Sequence, residues 1–351
     1  MSKQRQFTLI SLTLLIILGL GGYFWRDDSP APTPAFKHSY SKALAMAHNG
    51  QPGAARVLYQ QLARTDLSAI RRASLYEELP NYPSPLALKL ASADLQHADP
   101  LVRRAAISAI AAMLPDAQRS LVLGPLLEDE EHSVRFAVVD ALLGLGPDDI
   151  GLYFGPFQHT LEQYQQALAQ QSDDLAAQLH LAQLYLHENS FKEAAEAVET
   201  VLKLDPDNLE ALAVQVQILE RQGQTDASRQ VLATALQQRP DSAFLQHELG
   251  RWLLRHDQDE YALLAFARAL ELEPDNNEYR YTLATSLHQL EQVEPAQKQL
   301  EALLSRDPAN RKARVLLIEY WKETGQMQNV QVLLAQLEQL NPDDPLVQQG
   351  L

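Results

Sequence analysis

The sequence predicts an all-helical protein, an α-solenoid behind one N-terminal transmembrane helix. Three observations support this fold class. Prolines recur every 34 residues in the second half of the chain, an arginine-containing signature recurs every 32 residues in the first half, and 19 consecutive uncharged residues stand near the N-terminus. Fixed periods of this length are typical of stacked helical repeats, in which each unit packs only against its neighbours.

The uncharged run is long enough to be a membrane anchor. Residues Phe7 to Trp25 are rich in leucine and isoleucine, and about 20 apolar residues in a helix cross the roughly 30 Å hydrocarbon core of a bilayer. Lys3 and Arg5 precede the run, and positive charge marks the cytoplasmic side. Residues 1–28 are therefore predicted to be the cytoplasmic tip and single-pass anchor of a bacterial inner-membrane protein whose repeats lie in the periplasm.

A cleaved signal peptide is the alternative for the same segment. Its apolar region is usually shorter and ends in small residues at a cleavage site. Gly19, Gly21 and Gly22 are small, but bulky aromatic residues follow directly and no lipoprotein cysteine exists. These features favour an uncleaved anchor. Residues 29–36 are rich in proline and are predicted to be an extended linker that holds the folded part away from the membrane.

A 32-residue repeat is predicted within residues 37–145. Arginine stands at the same place in three copies, as Arg71, Arg103 and Arg135, each two residues before an alanine, and the last two copies follow acidic turns. The pattern resembles HEAT repeats, in which an Asp–Val–Arg–Ala signature opens a helix. The resemblance implies a structural role for the arginines, which would bond to neighbouring acidic turns and form a ladder along the stack.

Five 34-residue units are predicted in residues 175–344. Proline ends a helix because it has no N–H to donate and its ring clashes with the preceding turn. Mostly small residues at the eighth and twentieth positions let the two helices of a unit approach closely, and larger apolar residues at helical spacing fill the space between units. The prolines that define the period are Pro206, Pro240, Pro274, Pro308 and Pro342.

The third unit, residues 243–276, has the clearest signature, with Leu249, Gly250, Ala262, Phe266, Ala269 and Pro274 in place. This pattern resembles the tetratricopeptide repeat (TPR) family, and the resemblance implies a superhelix of antiparallel helix pairs. Between the two arrays, residues 146–174 are predicted to be a junction with a partial repeat. Residues 345–351 are predicted to be a C-terminal tail.

The composition argues against several classes of function. A formal net charge of −16 disfavours nucleic acid as a partner, because phosphate binding needs concentrated Lys and Arg. The chain has no cysteine, which excludes disulfides, thiolate metal sites, cysteine nucleophiles and covalent c-type haem. Motifs for phosphate binding or nucleophilic catalysis are missing, and no two of the 10 histidines have the i, i+4 spacing of a ligand pair. We therefore predict no enzyme, no cofactor and no metal site.

The TPR resemblance also indicates which side chains line the concave face, since the first helix of each unit builds that face at fixed positions. The predicted partner-binding residues are Gln183, His187, Gln217, Arg221, Phe244, His247, Arg251, Arg255, Tyr281, Thr285 and His288.

Three arginines of this set, Arg221, Arg251 and Arg255, stand out in an acidic chain. A guanidinium can form two hydrogen bonds to one carboxylate, and two aromatic residues of the set could flank an apolar side chain. The functional interpretation is a clamp for an acidic segment or C-terminal carboxylate of a partner protein. The alternative is a solvated surface on which the arginines pair with Glu220 or Glu248.

One wider resemblance covers residue 36 to the end of the chain. HEAT-like repeats followed by TPR units resemble the C-terminal module of certain bacterial multihaem c-type cytochromes, which carry CxxCH haem sites upstream. This chain has no such site, so redox activity does not carry over.

The predicted function is that of a membrane-anchored periplasmic scaffold for protein–protein interaction. Its groove would bind a partner segment and aid assembly or maturation of an envelope complex. A more specific, cytochrome-related variant resembles the TPR subunits of cytochrome c maturation, which hold apocytochrome C-termini. The alternative is a permanent accessory subunit of an envelope enzyme or electron-transfer complex.

Overall fold

The computed structural model describes residues 39–349, and a compact unit begins at Tyr40. All regular structure in the described residues is helical, and no strand occurs among them. No helix in this part of the chain is long and apolar enough to span a bilayer. The predicted anchor (1–28) and the predicted linker (29–36) lie outside the described residues.

The N-terminal array is a stack of short helices of uneven length. Two of its helices start with proline at the first position after a capping side chain, Ser84 and Asp99, because the missing N–H of proline costs nothing in a first turn. The helices are α1 (Tyr40–His48), α2 (Ala54–Leu62), α3 (Ala69–Glu78), α4 (Pro85–Asp94), α5 (Pro100–Met113), α6 (Asp116–Leu123), α7 (His132–Leu142) and α8 (Pro147–Ile150), with 3₁₀ turns at Leu79–Asn81, Gly124–Glu128 and Gly151–Tyr153.

Arginine contacts to acidic turns occur in the N-terminal array. The Nη2 of Arg103 lies 2.8 Å from Oδ1 of Asp129 in the next turn, and its Nη1 donates to the carbonyl oxygen of His97 at 2.7 Å. Arg135 donates to the carbonyl oxygen of Asp129 at 2.6 Å. The predicted bond to a neighbouring acidic turn is therefore confirmed at Arg103, whereas Arg135 bonds to the turn that directly precedes its own helix.

The prediction for Arg71 was wrong. Arg71 is exposed, with its guanidinium 5.4 Å from the ring centroid of Tyr40. Arg72 takes the buried place instead, because it shares one face of α3 with buried Leu75 and Tyr76 at i, i+3 and i+4 spacing. Its Nη1 lies 2.5 Å from Oδ2 of Asp94.

The C-terminal array is a regular series of helix pairs, preceded by a single helix, α9 (Phe154–Ala169). Each pair has a first helix of 13 residues and a second helix of 14 residues. The pairs are α10 (Leu175–His187) with α11 (Phe191–Leu204), α12 (Leu209–Arg221) with α13 (Thr225–Gln238), α14 (Ala243–Arg255) with α15 (Asp259–Leu272), α16 (Asn277–Gln289) with α17 (Val293–Arg306), and α18 (Arg311–Glu323) with α19 (Met327–Leu340), followed by the short α20 (Pro345–Gln348).

Each first helix of the C-terminal array, and α20 after it, starts at a side-chain cap. A cap accepts hydrogen bonds from backbone N–H groups that have no partner within the helix. Oδ1 of Asn310, for example, accepts from the Ala313 N–H at 3.0 Å. The caps lie 34 residues apart, at Asp174, Asn208, Ser242, Asn276, Asn310 and Asp344.

The turn between the two helices of a unit repeats with the same period. Its central residue has a positive φ, a backbone region that side chains other than glycine rarely adopt. The five residues are Asn189, Gly223, Asp257, Glu291 and Gly325. The 34-residue period therefore specifies the turn as well as the helix ends.

Buried apolar residues form two cores. The first core runs from Ala47 through α9 to Ile218 and also includes Leu340, and the second runs from Val216 to Leu333. The junction between the two arrays is thus packed, since the first core is continuous across it. The two cores meet on helix α12, which contributes Val214 and Ile218 to the first and Val216 to the second.

The end of the C-terminal array contacts the beginning of the N-terminal array. The Gly53 N–H donates to the carbonyl oxygen of Gln339 at 2.7 Å, and Nδ2 of the buried Asn341 donates to the carbonyl oxygen of Pro83 at 2.7 Å. The Arg311 N–H donates to Oδ1 of Asn81 at 3.3 Å. We call this contact of residues 50–59 and 81–83 with residues 308–311 and 339–344 the seam.

Gly50 marks the closest approach at the seam. A Cβ added at Gly50 would lie 2.6 Å from the backbone carbon of Pro308 and 2.6 Å from the nitrogen of Ala309. No side chain fits at that separation, so the seam requires glycine at position 50.

Candidate functional site

Four of the predicted partner-binding residues line one cavity between α12 and α14. The cavity measures about 410 Å³, and its walls include Gln217, Arg221, Arg251 and Arg255. They come together because α12 and α14 are first helices of successive units, so that residues 34 apart stack on one face. Glu220 and His256 complete the lining. The sequence analysis considered Glu220 as an arginine partner, and it did not place His256 in the site.

Glu220 binds Arg255 from behind. Its Oε2 accepts from Arg255 Nη2 at 2.7 Å and its Oε1 accepts from Arg255 Nε at 3.3 Å. Oε1 also lies 3.1 Å from Nε2 of His256. The Glu220 side chain is 12% exposed, whereas the Arg255 side chain is 40% exposed. Glu220 therefore fixes the guanidinium of Arg255, and the Nη1 of Arg255 makes no hydrogen bond among the described residues.

Glu248 holds Arg251 in a similar way. Its Oε1 accepts from Arg251 Nη1 at 3.2 Å and lies 3.5 Å from Nδ1 of His247. Burial acts to raise the pKa of Glu248, but the hydrogen bond from His247 and the charge of Arg251 outweigh it, so the pKa lies below its usual value. The carboxylate stays ionised and the Arg251 side chain remains 47% exposed.

The cavity keeps a surplus of positive charge. Three arginines (Arg221, Arg251 and Arg255) face two glutamates (Glu220 and Glu248). Arg221 contacts only a neutral group among the described residues, Oδ1 of Asn189 at 3.3 Å. The sequence also suggested an alternative in which the arginines pair with Glu220 and Glu248, and these two pairs form. The charge of Arg221 has no such partner among the described residues.

His247 does not line the cavity. It is 5% exposed, its ring stacks on Tyr279 with centroids 4.7 Å apart, and its Nε2 lies 3.3 Å from Oγ1 of Thr282. His247 is buried because it lies four residues after Ala243 and three before Gly250, which places it on the same buried face of α14. We therefore assign His247 to the support of Glu248.

The remaining predicted residues lie along the array on either side of the cavity. Tyr281 is half-buried under Lys312, whose Nζ lies 4.3 Å from the ring centroid. His288 lies 2.6 Å from Glu323 and stacks on Tyr320 with centroids 3.7 Å apart. Thr285 donates to a backbone carbonyl of its own helix. Phe244 is half-buried, and Gln183 and His187 are exposed on α10.

An exposed apolar pair, Tyr261 and Leu264, lies on α15. Tyr261 is 64% exposed and Leu264 is 68% exposed, and both line a shallow cavity of about 400 Å³ with Leu249 and Leu253. At the same two places the other units have Glu193 and Glu196, Ala227 and Gln230, Pro295 and Lys298, and Asn329 and Val332. The apolar pair is therefore particular to the third unit. The sequence analysis missed it because it did not compare the exposed positions of the second helices.

Metal chemistry finds no support in the described residues. Among residues 39–349, no group of three or more His, Asp or Glu side chains could hold a metal ion. The site offers guanidinium groups, two of which are held in place by glutamates.

Comparison with known families identifies the repeats. Two family models described as tetratricopeptide repeat match residues 161–208 and residues 186–249. Residues 161–249 therefore match tetratricopeptide repeats, as the proline spacing predicted for the units that begin at residue 175. The HEAT-like character of the N-terminal array and the resemblance to multihaem cytochromes stay predictions. No curated protein matches the chain.

Several solved structures match part of the chain. TTC0263, a thermophilic TPR protein of Thermus thermophilus, is 21% identical over 58% of this chain and 98% of its own, with a TM-score of 0.41. YrrB, described as a TPR protein with an unusual peptide-binding site, is 20% identical over 54% of this chain and 97% of its own, with a TM-score of 0.36. Yeast Tom70 is 15% identical over 89% of this chain and 63% of its own, with a TM-score of 0.46.

Proposed function

We propose that this chain, a protein with tetratricopeptide repeats, is an interaction scaffold whose cavity between α12 and α14 binds an acidic segment of a partner protein. The observation that carries the proposal is the arrangement of Arg251 and Arg255. Each guanidinium is held on one side by a glutamate, the half-buried Glu220 or the buried Glu248, and keeps an exposed edge. Side chains fixed in this way lose little conformational entropy when they bind a carboxylate.

The experiment measures binding of fluorescent acidic peptides, in free-acid and C-terminally amidated forms, to the full chain in a mild detergent. We expect Arg251→Glu/Arg255→Glu to weaken binding at least about tenfold, because each substitution removes a charge-assisted contact and adds repulsion. The matched control is Arg229→Glu/Arg268→Glu, which makes the same charge change at exposed ion pairs on α13 and α15. Equal loss in both variants would refute the site, since only the net charge would then matter.

The peptide pair distinguishes two forms of the ligand. If the cavity recognises a C-terminal carboxylate, the amidated peptide should bind much more weakly than the free acid. Equal binding of both forms would assign recognition to acidic side chains within the segment.

The setting of this scaffold is part of the proposal. The uncharged run of residues 7–25 and the positive charges before it support a single-pass anchor in a bacterial inner membrane, with the N-terminus cytoplasmic and the repeats periplasmic. A role in assembly or maturation of an envelope complex, including a cytochrome-related one, fits that location. Protease treatment of intact spheroplasts tests it: residues 39–349 should be digested, and protection of the repeats would place them in the cytoplasm.

A permanent accessory subunit is the second candidate, and the exposed pair Tyr261 and Leu264 favours it. Exposed apolar side chains that adjoin one another typically mark interaction surfaces. Under this alternative, Tyr261→Ser/Leu264→Ser should abolish a stoichiometric, detergent-stable complex recovered from membranes. If peptide binding at the arginine cavity is lost in Arg251→Glu/Arg255→Glu while no stable complex exists, the scaffold role stands and the subunit role is wrong.

A further inference from the structure

The two ends of the helical array are joined without a covalent connection. Every other contact between successive units includes a short turn of the chain, whereas the seam joins residues about 250 positions apart, such as Asn81 and Arg311 or Pro83 and Asn341. If the seam separates, each array can keep its own internal contacts, because neighbouring repeats supply them.

Hydrogen bonds hold the seam beside buried apolar residues such as Leu58 and Ala309. They join Gly53 to Gln339, Asn341 to Pro83, and the Tyr59 hydroxyl to Oδ1 of Asn341 at 3.4 Å. Leu340, from the last helix pair, also packs into the first core. Polar contacts of this kind exchange for bonds to water when they open, so their net contribution is modest.

The opposite boundary between the two cores lies on α12. Val214 and Ile218 of this helix belong to the first core and Val216 belongs to the second. A cavity of about 260 Å³ lies between α11 and α12, and the arginine cavity of about 410 Å³ lies between α12 and α14. Helix α12 lines both cavities, so a rotation of this helix would move one wall of the arginine cavity.

We propose that the seam opens and closes, with α12 as the hinge, and that this movement controls access to the arginine cavity. The cavity spans both cores, since Arg221 lies on α12 and Arg251 and Arg255 lie on α14. A segment bound across the two helices therefore favours one angle between the cores, and that angle determines whether the seam is closed. By linkage, the factor by which opening of the seam alters the affinity of the cavity equals the factor by which a bound segment alters the seam equilibrium.

The ligand in this inference rests on the proposed function, but the opening itself does not. Native-state hydrogen exchange on the unliganded full chain in a mild detergent tests the opening directly. The Gly53 and Arg311 N–H groups bond across the seam, so both should exchange by an event with little denaturant dependence while helix-interior amides of α2 and α18 stay protected. Exchange of both amides only by global unfolding would overturn the proposal.

Gly50→Ala and Gly53→Ala form a matched pair for the same measurement. Both residues have positive φ, but only Gly50 meets the backbone of residues 308 and 309, whereas a Cβ at Gly53 has nothing within 4 Å. Gly50→Ala should accelerate exchange of the Arg311 amide at least about tenfold over Gly53→Ala, because the added methyl group separates the seam. Equal acceleration would assign the effect to backbone strain and overturn the proposal.

A covalent lock tests control of access. The chain has no cysteine of its own, so Gln51→Cys/Gln339→Cys, two exposed positions on opposite sides of the seam, can be joined specifically by a short bismaleimide. Gln51→Cys/Arg56→Cys, crosslinked on one side only, is the control. We expect the locked seam to change the association rate of the acidic peptide at least about tenfold relative to the control.

Identical peptide association in the locked and control proteins would refute control of access. If no form of the protein binds any acidic peptide, the proposed function fails instead. Hydrogen exchange then decides the inference, because seam opening is measured there without a ligand.

Discussion

The N-terminal and C-terminal arrays are both stacks of helices, but they differ in how successive helices are aligned. In the C-terminal array, every first helix has 13 residues and every second helix has 14, and caps and turns recur at 34. In the N-terminal array, helix lengths vary from 14 residues in α5 to 4 in α8, and buried pairs such as Arg103–Asp129 join the turns. In the N-terminal array, where helix length varies, ion pairs between turns fix how successive helices align. In the C-terminal array the strict 34-residue period fixes that alignment.

The largest effect should come from breaking a buried pair of the N-terminal array. The Arg103 side chain is 6% exposed and binds Asp129 and the His97 carbonyl. Arg103→Ala leaves the Asp129 carboxylate uncompensated and should lower the free energy of unfolding by about 3–5 kcal/mol, measured by chemical denaturation of the helical signal. Arg104→Ala, at the exposed neighbouring position, should change it by less than about 0.5 kcal/mol. Similar losses in both variants would mean that the buried ion pair adds nothing to what an exposed arginine of this helix contributes.

The matching break in the C-terminal array is Gly250→Ala. A Cβ at Gly250 would lie 2.6 Å from the ring of Phe266, so the helices of the third unit would have to separate. The expected loss is about 1–3 kcal/mol, although alanine is otherwise the better helix former. Adding Phe266→Leu should recover part of it in a double-mutant cycle. An equal or greater stability of Gly250→Ala alone would show that the phenyl ring moves freely.

The pH dependence of stability should also distinguish the arrays, through Glu248 of the C-terminal array. Its folded-state pKa is lowered by His247 and Arg251 against the opposing effect of burial, so this group stabilises the fold at pH values above the unfolded pKa of about 4.3. That contribution disappears as the pH falls through the folded pKa. Glu248→Gln should therefore flatten the loss of stability on acidification below about pH 5, followed by thermal unfolding at successive pH values. An unchanged slope would contradict the lowered pKa.

The smallest expected effect is a gain in stability at the turns. Asp257 and Glu291 have φ of 56° and 59°, which costs a side chain about 1 kcal/mol relative to glycine. Asp257→Gly and Glu291→Gly should each stabilise the C-terminal array by about 0.5–1 kcal/mol. Gly223→Ala, at the same place in the second unit, should destabilise it by a similar amount. Loss of stability in the glycine variants would indicate that the carboxylates contribute contacts of greater value.

The regular array was predictable because its information is local and repeated. The proline period located the helix pairs, and the same alignment contains the cap column through Asn208 and Asn310, which the sequence analysis did not use. The 32-residue alignment placed Arg71 in the ladder, and the structure places Arg72 there, since a spacing rule does not specify which residue of an irregular helix faces inward.

The candidate site was predictable only in part. The repeat positions brought Arg221, Arg251 and Arg255 to one face, and the possible pairing with glutamates was visible in the sequence. Which glutamate lies behind which arginine depends on side-chain geometry that no period encodes. The seam left no signal in the sequence, because the contact between Gly50 and Pro308 does not recur in other units and joins positions that lie 258 residues apart.

The contact at Gly50 also limits how this gene can change in length. Open repeat proteins gain or lose whole units readily, because a new unit needs only a neighbour on each side. Here the turn at Pro308 and Ala309 packs against Gly50 so closely that there is no room for a Cβ. One unit more or one unit fewer would carry the end of the array past that turn or leave it short. Duplication and deletion of a 34-residue segment, ordinarily the commonest route by which such arrays diversify, should therefore be harmful in this protein, and its number of units should be inherited as strictly as an active-site residue.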